Sequence, residues 1–194
     1  VGSEMCIRDS YDSYNLGLQK IKQNKNVSEL TTELEENDKN FPKHVISSVN
    51  ADKFIEDKSL QHEVFGPCSL IVTCRDDKEM YKVVESLEGQ LTATVLAENN
   101  DTFLTQEIID ALEIKVGRII FNGVPTGVEV CESMTHGGPY PASTDSRFTA
   151  VGINSIKRWL RPVSYQDFPQ SLLPDELKNE NPLNVKRNIN GVIT

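Results

Sequence analysis

The stretch His62-Glu63-Val64-Phe65-Gly66-Pro67 puts a carboxylate, an aromatic ring and a Gly-Pro turn directly ahead of an apolar run, residues 68–74. A lone acid and a ring held at the mouth of a strand mark a place where the chain meets a ligand, at the edge of a nucleotide-type site. A second group lies in a long loop, residues 123–144, which carries Thr126, Glu129, Cys131, His136 and the pair Gly137-Gly138. Three chemistries compete for it. Cys131 could be a nucleophile activated by His136, with Asp145 orienting the imidazole. Cys131, His136 and Glu129 could hold a metal, although a fourth ligand at recognisable spacing is missing. Or the loop lines a substrate pocket, its glycines allowing close approach. The composition favours the third. His44 and His62 read as surface or strand-end residues, Cys68 and Cys74 as small core residues, and Trp159 as core.

The elements that must position these residues follow from periodicity. Residues 11–23 read as a helix with Tyr14, Leu18 and Ile21 on one side. A short strand is expected at 30–34, another around Val45, Ile46 and Val49, and a turn of helix at 52–57. Residues 68–74 form a continuous apolar strand of the kind buried on both faces. Asp76 and Asp77 cap a helix with Met80, Val83, Val84 and Leu87 on one stripe, stopped by Gly89. A strand at 91–97 follows, then a turn and cap at 99–101. The next helix shows Leu104, Ile108, Ala111 and Leu112, ends near Gly117, and leads to a strand at 118–122. The alternation predicts an α/β fold, a parallel sheet with flanking helices. The loop at 123–144 leaves the carboxyl end of a strand, where such sheets bind ligands. Residues 146–160 read as a helix with Val151, Ile156, Trp159 and Leu160 inward, and residues 161–167 as a final strand.

The 194 residues suffice for one domain or a large piece of one. A net charge of -9 argues against nucleic acid and anionic membrane, because phosphates attract Lys and Arg. No apolar run approaches the ~20 residues of a membrane span. The four cysteines form no C-x-x-C pair, so a cytoplasmic, reducing compartment is expected, with no metal site. Residues 1–10 resemble a translated sequencing adapter and are set aside from fold reasoning, which implies that an N-terminal part is missing. Residues 11–167 are expected to form one domain and 168–194 a tail, the last dozen residues mobile.

Glu63-Val64-Phe65-Gly66-Pro67 with its apolar strand resembles the E-x-F-G-P motif of the aldehyde dehydrogenase superfamily. Residues 89–93, Gly-Gln-Leu-Thr-Ala, and 117–122, Gly-Arg-Ile-Ile-Phe-Asn, resemble two further family steps. The run from Phe121 to Cys131, the His136-Gly-Gly-Pro-Tyr-Pro-Ala142 block and Arg158-Trp-Leu-Arg-Pro-Val163 resemble the 2,5-dioxovalerate (α-ketoglutaric semialdehyde) dehydrogenases. General aldehyde dehydrogenases have P-F-G-G in this loop.

The resemblance implies the C-terminal part of a catalytic domain plus an oligomerisation strand. It implies oxidation of a small aldehyde, 2,5-dioxopentanoate to 2-oxoglutarate, with NAD or NADP through a cysteine thioester. Glu63 would accept hydrogen bonds from the nicotinamide ribose and Phe65 would lie beside the nicotinamide. The loop from Val124 to His136, with Pro125, Thr126, Gly127 and Val128, would line the substrate tunnel. The family's nucleophilic Cys and base Glu fall upstream of the 62 residues that precede Glu63, so no catalytic residue is assigned here and the chain alone should be inactive. The parent is expected to be a homo-oligomer. Two alternatives stand: a dehydrogenase for another short aldehyde, and a non-catalytic remnant or binding module.

Overall fold

The computed structural model describes residues 7–31, 42–98, 101–125, 127 and 131–194. It divides into two units, residues 1–158 and 159–194.

The first unit opens with helix α1, Ile7–Gln23. It starts before residue 11 because nothing in residues 8–10 breaks a helix, so residues expected to fall outside the fold join it. Tyr14 and Leu18 are buried against Val45, with Val64 and Cys68 packed around them. The short strand β1, Ser28–Glu29, pairs antiparallel with β2, Val45–Asn50. It comes earlier than expected; Leu30 still donates its N–H to the Ile46 carbonyl at 2.8 Å, and residues 32–34 lie outside the described residues.

β2 crosses over through α2, Ala51–Glu56, to the parallel strand β3, Cys68–Thr73, in register from Val45 opposite Cys68 to Asn50 opposite Thr73. β3 is not buried on both faces. Leu70 and Val72 pack with Val49, Phe54 and Leu60, whereas Ser69, Ile71 and Thr73 are exposed. Helices cover one side of this pair, so an apolar run reads as half-buried.

Helix α3, Asp77–Ser86, is capped by Asp76, whose carboxylate accepts from the Glu79 N–H at 2.8 Å. Its buried face differs from the expected stripe: Met80 is exposed and Glu79 is buried, because Arg75 holds the Glu79 carboxylate by bonds of 2.6 and 3.0 Å. That pairing lowers the Glu79 pKa. Val83 reaches the core around Val49, and Val84 reaches a second core made by Ile108, Leu112 and Val116. One helix therefore joins two cores. Its end is held by Lys115, whose Nζ donates to the Glu85 and Leu87 carbonyls at 2.8 and 2.9 Å, rather than by Gly89.

β4, Gln90–Val95, and β5, Val116–Phe121, form a second parallel pair joined by α4, Thr102–Glu113. β3 and β4 are linked by α3 but do not pair, so the expected single sheet is two parallel pairs beneath α2, α3 and α4, packed side by side. Asp101 starts α4 without a side-chain cap; its carboxylate takes the Glu98 N–H instead. The expected helix at 146–160 is absent. Thr149 accepts from the His136 N–H and donates to the Val151 carbonyl, Ala150 donates to His136, and Gly152 has φ +93°. These bonds compete with a helical ladder, and only a 3-10 turn, Ile153–Trp159, forms. Ile156, Trp159 and Leu160 are exposed rather than inward.

In the second unit, residues 161–166 are extended with no ladder partner among the described residues. The Tyr165 and Phe168 rings meet edge to face at 5.2 Å. The last residues are not a loose tail. β6, Asn188–Ile189, and β7, Val192–Ile193, make a hairpin through Asn190 and Gly191, both at positive φ as its two-residue turn requires. No helix among the described residues is long and apolar enough to cross a membrane.

Candidate functional site

The chain from Glu63 to Gly66, which has no regular secondary structure and bends at Gly66, lies against α1. Tyr14 and Gly17, one turn apart on that helix, supply a knob and a hole. The Tyr14 ring lies so close to Gly66 that a Cβ there would sit 2.3 Å from its edge. Val64 enters the space over Gly17, where a Cβ would lie 3.1 Å from both Val64 methyl groups. The Tyr14 hydroxyl donates to the Lys43 carbonyl, with the Pro67 carbonyl at 3.4 Å. Burial pushes the Tyr14 phenol up to about 12. Val64 and Gly66 are thus spent on packing, whereas Glu63 is exposed and Phe65 is 75% exposed. An open pocket between helix and motif is lined by Ser10, Ser13, Tyr14 and Gly17 on one side and by Glu63, Val64 and Phe65 on the other. It offers a carboxylate acceptor, two hydroxyls and a ring face, which fit a sugar bearing hydroxyls beside a flat heterocycle.

The loop is built differently. Asn122, at φ +48°, ends β5 and clamps the neighbouring strand: its side chain accepts from the Ala97 N–H and donates to the Ala97 carbonyl, both at 2.9 Å. Residues 123–125 leave the carboxyl end of β5, where Pro125 and Gly127 are exposed; Thr126, Val128 and Glu129 lie outside the described residues. The chain then returns to the amino ends of β4 and β5. Backbone meets backbone there: a Cβ on Gly117 would sit 1.9 Å from the Gly137 carbonyl oxygen, one on Gly138 2.4 Å from that of Gln90, and one on Gly89 2.3 Å from that of Pro139. Gly89 is therefore a crossing point for the loop. On the way back Met134 passes Arg118, whose guanidinium reaches its sulfur at 3.8 Å.

The Pro125 end of the loop thus leaves the carboxyl end of β5, whereas Gly137, next to His136, meets Gly117 near its amino end. Cys131 contacts Ser133 at 3.5 Å, and Asp145 is committed to Arg147 at 2.7 and 3.0 Å, which holds its carboxyl down to about 2. The Cys131–His136–Asp145 arrangement is not assembled. Burial pushes the Cys68 and Cys74 thiols up, as suits core residues. Tyr14 and Gly17 were legible only as helix; their spacing of three, opposite Val64 and Gly66, was the available signal.

Curated aldehyde dehydrogenases match more than two thirds of this chain at 52% identity, and the matched residues belong to that family. No family model matches the chain. It is 52% identical over 139 residues to α-ketoglutaric semialdehyde dehydrogenase 2 of Azospirillum brasilense, covering 72% of this chain. It is 52% identical over 135 residues to α-ketoglutaric semialdehyde dehydrogenase of Acinetobacter baylyi, covering 70%. The chain spans 26% of the length of each of these relatives. Its fold is shared with Δ1-pyrroline-5-carboxylate dehydrogenase of Mycobacterium tuberculosis, at TM-score 0.59 and 17% identity over 86% of this chain and 32% of that one. It is shared also with betaine aldehyde dehydrogenase of Staphylococcus aureus, solved with NAD+, at TM-score 0.54 and 13% identity over 78% and 29%.

Proposed function

We propose that this chain is the cofactor-wall and substrate-loop part of a nicotinamide-dependent dehydrogenase that oxidises 2,5-dioxopentanoate to 2-oxoglutarate. The observation that carries the reading is the 52% identity to two α-ketoglutaric semialdehyde dehydrogenases over 139 and 135 residues. Glu63 accepts hydrogen bonds from the ribose hydroxyls of NAD or NADP, and the exposed Phe65 ring limits movement of the nicotinamide. The bound nicotinamide supplies the hydride acceptor. Pro125, Thr126, Gly127 and Val128 line the path of the aldehyde, with Asn122 fixing where that path begins, and His136 stands apart from it. None of the residues named here is a nucleophile or a base, so those roles are assigned to the parts of the relatives' length that this chain does not span. The extended residues 161–166 pair with a second copy in the full-length enzyme.

The test is the full-length enzyme with 2,5-dioxopentanoate and a panel of short aldehydes, followed by reduced nicotinamide absorbance with NAD+ and with NADP+. The expected result is the highest kcat/KM for 2,5-dioxopentanoate. A higher kcat/KM for an aldehyde without a carboxylate would overturn the substrate assignment. Turnover by the 194-residue chain alone would overturn the division of labour.

A further inference from the structure

We propose that the Tyr14–Gly17 face of α1 is a template that sets which way Glu63 and Phe65 point, which makes both positions positioning residues for cofactor binding. The inference rests on the reading of Glu63 and Phe65 as cofactor contacts.

The argument begins with a glycine where a helix does not favour one. Gly17 lies in the interior of α1, where Gly is a poorer helix former than Ala. The space it leaves is occupied: Val64 approaches to within van der Waals contact of where a Cβ would be. One turn earlier the relation is reversed, and the helix supplies the bulk while the motif supplies the glycine, Gly66. Two interlocks in opposite senses, two residues apart on the chain, fix both its height over the helix and its rotation. With Val64 held over Gly17 and Gly66 against the Tyr14 ring, the Glu63 and Phe65 side chains are left exposed. The Tyr14 hydroxyl bond to the Lys43 carbonyl anchors the ring, so the knob itself is held. Glu63 has no hydrogen bond or ion pair of its own among the described residues, so its direction comes from the backbone that this interlock holds.

The experiment uses the full-length enzyme and titrates it with NADH and with NADPH by fluorescence. Melting temperature and the alkylation rate of the catalytic cysteine are read in parallel. Gly17→Ala is expected to weaken dinucleotide binding about fivefold, while the melting temperature stays level or rises and alkylation is unchanged. A purely structural role would move the melting temperature and not affinity alone. Gly17→Ala/Val64→Ala removes the collision and should bind within about twofold of Val64→Ala. Tyr14→Phe keeps the knob and loses its anchor, and should weaken binding about twofold. Normal binding in Gly17→Ala, or a loss that Val64→Ala does not relieve, overturns the template. Glu63→Gln and Phe65→Ala separate the two layers. If they weaken binding and Gly17→Ala does not, the template alone fails. If neither weakens it, the cofactor reading fails and the template falls with it.

Discussion

The wall around Glu63, proposed for the cofactor, and the loop from residue 123, proposed for the substrate, are held by opposite means. At the wall, side chains meet backbone and helix: the Tyr14 ring against Gly66 and Val64 over Gly17. In the loop, backbone meets backbone, with Gly137 and Gly138 laid across Gly117 and Gln90. A side chain can swing by a few tenths of an ångström when crowded, but a carbonyl locked into a strand cannot. The wall should therefore tolerate substitution by adjustment and lose direction, while the loop should fail outright.

That contrast breaks most sharply at Gly117. Gly117→Ala in the full-length enzyme is expected to cost on the order of 3 kcal/mol or more, because its Cβ would collide with a peptide carbonyl. Gly66→Ala meets the Tyr14 ring rather than a peptide but also adds a side chain at φ +158°, and should cost about 2 kcal/mol. Thermal melts of the two variants decide it; equal losses would show the ring to be as immovable as the backbone. Asn122→Gly keeps the positive φ and removes both bonds to Ala97, and should cost about 1–2 kcal/mol while raising the aldehyde KM more than the cofactor KM.

Two smaller effects depend on pH. The Tyr14 phenol is raised from 10.0 to about 12, so the folded state favours its neutral form. Its contribution is fully present below pH 10 and is lost as pH rises from there through about 12. Tyr14→Phe should flatten the alkaline limb of a stability–pH curve, and an unchanged limb would contradict the burial of the hydroxyl. The Asp145 carboxyl is lowered from 3.8 to about 2 by Arg147, so its contribution is present above pH 3.8 and fades as pH falls through about 2. Asp145→Asn should remove that small acid-limb loss together with the equally small contribution at neutral pH, since the pair is exposed.

Much of this was legible in the chain itself. The helices α2 and α3, the strands β2 to β5 and the Asp76 cap follow from periodicity and from residues that bond their own neighbours. The motif around Glu63 was legible as an acid and a ring at a strand mouth, and both side chains are exposed there. What failed had long-range causes. The helix expected at 146–160 lost to the bonds of Thr149 and Ala150 with His136, fourteen or so residues upstream by chain count, which no local pattern encodes. Gly89 read as a helix stop because its distant neighbour, Pro139, is invisible in the local sequence. The strand β3 read as doubly buried because an apolar run does not reveal how many faces are covered. The closing hairpin was hidden by charged, Asn-rich composition, although Asn190-Gly191 is a turn signal in its own right.

The account is tested most directly by Glu63→Gln in the full-length enzyme, with the KM for cofactor and for 2,5-dioxopentanoate measured side by side. Loss of a charged acceptor for ribose hydroxyls predicts a cofactor KM about tenfold higher and an aldehyde KM within about twofold of the parent. An unchanged cofactor KM, or a shift confined to the aldehyde, would contradict the assignment of this wall to the cofactor.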